Sequence, residues 1–322
     1  MGLETVMIDR DDIQAAAARI EGYVRVTPVM ALEHGAFGID ASITLKLELH
    51  QHTGSFKPRG AFNRVLSAEE IPEAGLITAS GGNHGQAVAY VGWRLGYRAE
   101  IFVPESSPPL KAERMRRHGA VVNVAGTFYH DSYDLMLEKA AETGALLVHA
   151  YDQPETVMGQ GTLGMELAGQ APDLDTVLVA VGGGGVIAGV AAWYRGDAKV
   201  VSVEPEAIPT LAAALEADEP VDIEVSGYAA DSLGARRVGD IPFAIARELV
   251  QESVLVTDDA IRDAQSALWD SLRIMTEPGG AAAMAAIVSG AYRPSPGERV
   301  GVLVCGGNTT KIPELVPSPT LS

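Results

Sequence analysis

Val177-Leu178-Val179-Ala180-Val181-Gly182-Gly183-Gly184-Gly185-Val186 is the stretch on which the fold turns. The uncharged span from Val177 to Tyr194 is just long enough to suggest a membrane helix. Four consecutive glycines in its middle oppose that reading, because glycine is a poor helix former. Strand, turn, helix is the reading that remains. Free N–H groups where such a helix opens form a nest for a phosphate, and no basic side chain is needed. A rival reading uses the same residues. Gly183, Gly185 and Ala188 match G-x-G-x-x-A, and Glu204 lies at about the distance of a ribose-binding acid, as in a nicotinamide dehydrogenase.

Outward from that stretch the same rhythm repeats. Apolar, β-branched runs predict strands at Ile43–Glu48, Leu76–Ala79, Ala99–Val103, Val121–Val124, Ala145–His149, Val177–Val181, Val200–Val203, Val254–Val256 and Val300–Val304. Between them, helical stretches are predicted at Gln86–Leu95, Leu110–His118, Ser132–Thr143 and Asp258–Leu272. The last is preceded by the capping residue Thr257. Strands alternating with helices imply an α/β protein with parallel sheets covered by helices. Ligands in such sheets gather beyond the carboxyl ends of the strands, here after Ala79, Val181 and Val304. The block 75–152 carries strand–helix units of its own and reads as a small domain inserted between residues 1–74 and 153–322, the two parts of a large one.

Two further loops and one lysine share the character of the first loop. Ser80-Gly81-Gly82-Asn83-His84-Gly85 leads into a helix and offers close backbone approach beside hydroxyl and amide side chains. It reads either as a capped helix start or as a seat for a carboxylate or phenolic oxygen. Cys305-Gly306-Gly307-Asn308 follows the last strand; its thiol reads either as packing or as a site group, and Glu277 as a cap or a site group. Lys57 stands between Phe56 and Pro58 in Ser55-Phe56-Lys57-Pro58-Arg59-Gly60. An apolar, fixed setting lowers the pKa of a lysine and frees its amine for Schiff-base chemistry. Pro58 is expected to bias Lys57 away from helical backbone.

Composition narrows the partners. A net charge of −18 argues against nucleic acid or an anionic membrane, while leaving room for an anionic cofactor held by backbone dipoles. A single cysteine excludes an intrachain disulfide and fits a reducing cytoplasm. Met1–Arg10 has no signal-peptide apolar region.

Taken together, S-F-K-x-R-G, S-x-G-N-H-G, G-G-G-G, E-P-x-x-A and C-G-G-N resemble the serine/threonine dehydratases and serine racemases. These are pyridoxal 5′-phosphate enzymes of fold type II, the tryptophan-synthase-β-like group. The resemblance runs from Thr27-Pro28 to Asn308. It implies two open sheets, parallel or mixed, in a large and a small domain. It implies that Lys57 carries the cofactor as a Schiff base and later removes the substrate α-proton. Phe56 would pack beside the pyridine ring and Asn83 would reach the 3′-oxygen. Gly182, Gly183, Gly184, Gly185 and Val186 would hold the phosphate, Cys305 would face the pyridine nitrogen, and Glu277 would lie near the ring. Ser80, Gly81, Asn83 and His84 would grip the substrate carboxylate. A homodimer is implied, as is a small amino-acid substrate.

The departures carry information. A neutral thiol at the pyridine nitrogen holds a proton there poorly, so elimination is favoured over routes through a long-lived carbanion. Racemisation needs a proton donor on each face of the reacting carbon. Mammalian serine racemases read S-S-G-N-H, whereas here the second position is Gly81, so dehydration is expected over racemisation. Relatives that bind a divalent ion read E-P-x-x-x-x-D, whereas Glu204-Pro205 is followed by Thr210 at the aspartate position, and no metal is expected. The chain stops at Ser322, soon after Asn308, so feedback control through a long C-terminal regulatory region is not expected. A cysteine synthase is disfavoured because that group resembles T-S-G-N-T-G at positions 80–85.

Overall fold

The computed structural model describes residues 7–127 and 129–309. The outer parts of Met1–Arg10, of the 1–74 and 153–322 blocks, and the stop at Ser322 lie outside the described residues. Ten strands are seen among them: β1 (Val29–Ala31), β2 (Ser42–Leu47), β3 (Leu76–Ala79), β4 (Ala99–Val103), β5 (Val121–Val124), β6 (Leu146–Leu147), β7 (Thr176–Ala180), β8 (Lys199–Pro205), β9 (Glu252–Val256) and β10 (Arg299–Val304). The helices in chain order are α1 (Arg10–Ile20), α2 (Lys57–Leu66), α3 (Asn83–Leu95), α4 (Pro109–Arg117), α5 (Tyr129–Thr143), α6 (Pro154–Gln170), α7 (Gly185–Tyr194), α8 (Thr210–Ala217), α9 (Ala230–Leu233), α10 (Asp240–Leu249), α11 (Asp258–Leu272) and α12 (Pro278–Val288).

Two sheets result. One is six-stranded in the order β1-β2-β10-β7-β8-β9; the other is four-stranded in the order β5-β4-β3-β6. The smaller is parallel throughout, and the larger is parallel except for the β1–β2 pair. All nine predicted strands are present within a few residues. The addition is β1, three residues directly after Pro28, too short to show an alternating pattern. Val177–Tyr194 is divided as β7 and α7 around the glycines, and no helix among the described residues is long and apolar enough to cross a membrane.

The larger sheet is covered by α12, which carries α11, and by α7, which carries α6 and α10. Helix α12 is buried from Gly279 to Ile287, as a helix apolar on every side must be. Its small residues let it sit close: a Cβ on Gly280 would lie 2.0 Å from the carbonyl oxygen of Gly306. The strands of the smaller sheet all fall within 75–152, but its core also takes in Ile20, Ala61, Phe62 and Val65 from α1 and α2. Helix α2 thereby bridges the two sheets with Lys57 as its first residue.

A buried ionic network fixes that bridge. Arg59 donates Nε to Glu48 Oε2 (2.9 Å) and NH2 to both Glu48 Oε1 (2.8 Å) and Glu166 Oε2 (3.0 Å). Lys46 Nζ donates to Glu166 Oε1 (2.5 Å), Gln170 Oε1 (2.7 Å) and the Thr27 carbonyl (2.8 Å). Thr27 Oγ1 donates to Glu48 Oε1 (2.5 Å). One cluster therefore ties β2, α2, α6 and the segment entering β1 together, two residues from Lys57.

Candidate active site

The loops after β3, β7 and β10 open into one cavity of about 1240 Å³. Phe56, Lys57, Ser80, Gly81, Asn83, His84, Gly182–Gly185, Val186, Glu277 and Cys305 all line it. Residues chosen from positions 56 to 305 thus converge on one space.

Lys57 Nζ donates to the carbonyl oxygen of Ala150 (2.8 Å) and lies 5.1 Å from the Phe56 ring centre. Burial draws its pKa down from the ordinary lysine value to about 8, with Cys305 and Glu277 pulling the other way. Contrary to the sequence expectation, Pro58 does not hold Lys57 out of a helix. It sits in the first turn of α2, where its missing N–H would have had no partner.

The first loop is tied to the third. Asn83 Nδ2 donates to Glu277 Oε1 (2.5 Å), and Asn83 Oδ1 accepts from Asn308 Nδ2 (2.7 Å), which also donates to the Thr53 carbonyl (2.7 Å). Burial pushes Glu277 up to about 7, opposed by the Asn83 hydrogen bond. Asn83 keeps one amide hydrogen free of these bonds. His84 Nε2 meets the Val148 carbonyl at 2.8 Å, and burial draws this ring down to about 3. It is neutral and brings no positive charge to a carboxylate.

The second loop turns at Gly184, whose φ of +89° is left-handed, and no side chain caps the helix α7 that follows. Its first amides have no side-chain capping acceptor, and Gly184, Gly185 and Val186 line the cavity. A Cβ on Gly183 would lie 2.2 Å from the Tyr151 ring. In the same cavity Cys305 is buried and its Sγ donates to the Gly279 carbonyl (3.3 Å). Burial and the neighbouring Glu277 push the thiol pKa up, so it stays neutral.

Pyridoxal phosphate fits these walls. A buried amine with a lowered pKa, an uncapped helix start for a phosphate, and a neutral thiol match its aldehyde, phosphate and ring nitrogen in kind. A dinucleotide fits less well. Glu204, the acid that reading requires, does not line the cavity: its oxygens accept from the N–H groups of Leu211 (2.7 Å) and Ala212 (2.8 Å) at the start of α8. Thr210 Oγ1 donates to the Ala235 carbonyl.

Sequence reasoning missed several members of the site. Ala150 supplies a backbone acceptor that no side-chain motif signals. Asn308 stood in a motif without a role. Ser107 Oγ lies 2.1 Å from where a Cβ on Gly81 would be, so its hydroxyl fills the space of the absent side chain. Nothing in the spacing of 81 and 107 announces that meeting.

Comparison with known proteins points to the same cofactor. A family model described as pyridoxal-phosphate dependent enzyme matches residues 20–306. An L-threonine ammonia-lyase of Geobacter sulfurreducens is 37% identical over 300 residues, covering 92% of this chain and 74% of that protein. A phenylserine dehydratase of Ralstonia pickettii is 36% identical over 309 residues, covering 95% and 94%. The structure of maize serine racemase superposes with a TM-score of 0.89 at 31% identity, covering 94% of each chain. With the lysine, the three loops and the uncapped helix start in one cavity, the chain belongs to the pyridoxal-phosphate-dependent enzyme family that includes the threonine ammonia-lyases and serine racemases.

Proposed function

We propose that this protein is a dehydratase of the ammonia-lyase type, converting a β-hydroxy amino acid into a 2-oxo acid and ammonia. The observation that carries the reading is the Lys57 amine, buried on the Ala150 carbonyl in the same cavity as a neutral Cys305 thiol. When bound, pyridoxal phosphate supplies the electron sink that makes the substrate α-hydrogen acidic. Lys57, with a pKa near 8, is suited to take that proton near neutral pH. The Ser80 hydroxyl and the backbone at the start of α3 hold the substrate carboxylate, and the amides of Gly182–Val186 hold the phosphate. Phe56 and Asn83 orient the ring, and the network through Glu277 and Asn308 orients Asn83. Cys305 leaves the ring nitrogen without a charged partner, which favours loss of the β-hydroxyl over return of the α-proton.

Release of 2-oxo acid across a panel of β-hydroxy amino acids of both configurations tests the reading; holoprotein that releases none from any of them refutes it. A second reading, an amino-acid racemase, gains support from Ser107, whose hydroxyl occupies the place of a side chain at 81. Chiral chromatography separates the two. Pyruvate from serine is expected to exceed D-serine by about 10²–10⁴-fold, the contribution of a positioned acid or base. D-serine forming as fast as pyruvate, and falling in Ser107→Ala, would favour the racemase. Gly81→Ser alone collides with Ser107, so the variant that raises racemisation is expected to be Gly81→Ser with Ser107→Ala.

Gly184→Val is expected to weaken pyridoxal-phosphate binding more than about tenfold. A β-branched residue resists the left-handed backbone, and its Cβ would lie 2.8 Å from Pro242 Cβ and 2.9 Å from Val238 Cγ2. An unchanged cofactor titration in this variant would remove the glycine loop from the phosphate site. We also propose a homodimer in a reducing cytoplasm, on the family relationship and the single cysteine. Sedimentation of the same preparation as a monomer at micromolar concentration would refute the dimer.

A further inference from the structure

We infer that the substrate of this site carries an aromatic ring on its β-carbon, that is, an aryl-serine; the inference rests on the dehydratase reading. The Lys57 amine donates to the carbonyl of Ala150, which places it one residue from Tyr151. From Tyr151 a row of four rings extends, of which the three tyrosines line the cavity. His149 meets Tyr151 edge-on at 4.8 Å and 79°, Tyr133 meets His149 edge-on at 5.9 Å and 89°, and Tyr129 stacks on Tyr133 at 6.0 Å and 28°. Tyr129, Tyr133 and Tyr151 all line the cavity with Lys57. Centroid separations of about 4.5–7 Å in edge-on and offset-stacked pairs are the favourable ring geometries, so a further ring can join the row in the same way.

The row is held in place and uncharged. Tyr151 Oη donates to the Arg237 carbonyl (3.3 Å), and its ring rests against Gly183, where a side chain would not fit. His149 Nδ1 accepts from the N–H groups of Tyr151 (3.3 Å) and Asp152 (2.8 Å), which leaves the ring neutral. Tyr133 packs at its base on the core formed by Ile77, Ala79, Phe102 and Met136.

Other β-substituents suit the cavity less well. A hydrogen or methyl group leaves the tyrosines uncovered in a cavity of about 1240 Å³, roomy for a small ligand even with the cofactor inside, since such sites commonly span about 300–1,000 Å³. A carboxylate finds no free partner in the two arginines that line the cavity. Arg236 and Arg237 lie 3.1 and 3.8 Å from the oxygens of Asp222, and Glu224 adds negative charge to the same wall. An aromatic ring is the substituent that covers the tyrosines and asks nothing of the charges.

The test compares kcat/KM of the holoprotein for phenylserine and threonine, in both configurations. Phenylserine is expected to be preferred at least about tenfold, from burial of the ring and a ring–ring contact. Equal or better use of threonine overturns the inference and leaves the dehydratase reading standing. Release from neither substrate sinks the dehydratase reading, and binding then decides the inference. Phenylalanine is expected to shift the visible band of the holoprotein at a concentration at least about tenfold lower than alanine does, by the same ring contacts. Equal concentrations overturn it. Tyr133→Ala is expected to lower the phenylserine-to-threonine ratio about tenfold and Tyr133→Phe to restore it, since the face of the ring makes the contact. A ratio unmoved in Tyr133→Ala, or in Tyr129→Ala should the first variant not fold, overturns the assignment of the wall.

Discussion

Lys57→Ala is expected to end covalent attachment of the cofactor and to lower 2-oxo acid release by at least about 10²–10⁴-fold, the contribution of a positioned general base. Borohydride treatment of the loaded wild-type protein should fix the cofactor on this residue, and the variant should yield no fixed label. The pH dependence of loading tests the same assignment. Burial holds the Lys57 pKa near 8, so at pH 7 about one amine in ten is neutral, against about one in 2,500 for an ordinary lysine. The neutral amine is the nucleophile, so the rate at which the visible band appears should rise with pH to about 8 and then level off. A rate still climbing at pH 10 would mean that the amine is not buried. A variant that keeps a borohydride-fixed label would mean that another residue carries the cofactor.

Arg59→Ala is expected to destabilise the protein by about 3–5 kcal/mol, the usual effect of removing one partner from a buried ion pair. Glu48 is fully buried and accepts two of the Arg59 bonds. Burial alone would raise its pKa, but Arg59, joined by the Thr27 hydrogen bond and the Lys46 charge, more than offsets this and keeps it below the ordinary carboxylate value. A carboxyl held low in the folded state adds stability above its unfolded pKa, and loses it as pH falls through the folded value. The gap between wild type and variant in urea unfolding should therefore be full at neutral pH and narrow below about pH 4. Because the cluster fixes the start of α2, surviving folded variant should also load cofactor more weakly. Unchanged urea midpoints at neutral pH would show that the cluster contributes nothing.

Much of this was legible in the residues alone, because the signals were local. Alternation of β-branched runs with helical stretches follows from side-chain geometry within one segment, and it placed nine strands. Glycines at strand ends announced the loops that meet at the cavity, since turn chemistry depends on adjacent residues. Lys57 stood out by its immediate neighbours. The sequence by itself thus determined the α/β architecture, the loops that form the site and the residue types they bring to it. Only the tertiary structure decided how those groups pair. Asn83 meets Glu277 and Asn308 across 194 and 225 positions of chain. The Ser107 hydroxyl fills the space at Gly81, the Ala150 carbonyl receives the Lys57 amine, and four aromatic rings from two segments join in one row. Pro58, expected to bias Lys57 away from helical backbone, instead stands in the first turn of α2, which starts at Lys57, where its missing N–H needs no partner. Such pairings depend on how distant segments pack, and no periodicity or spacing within a segment encodes them.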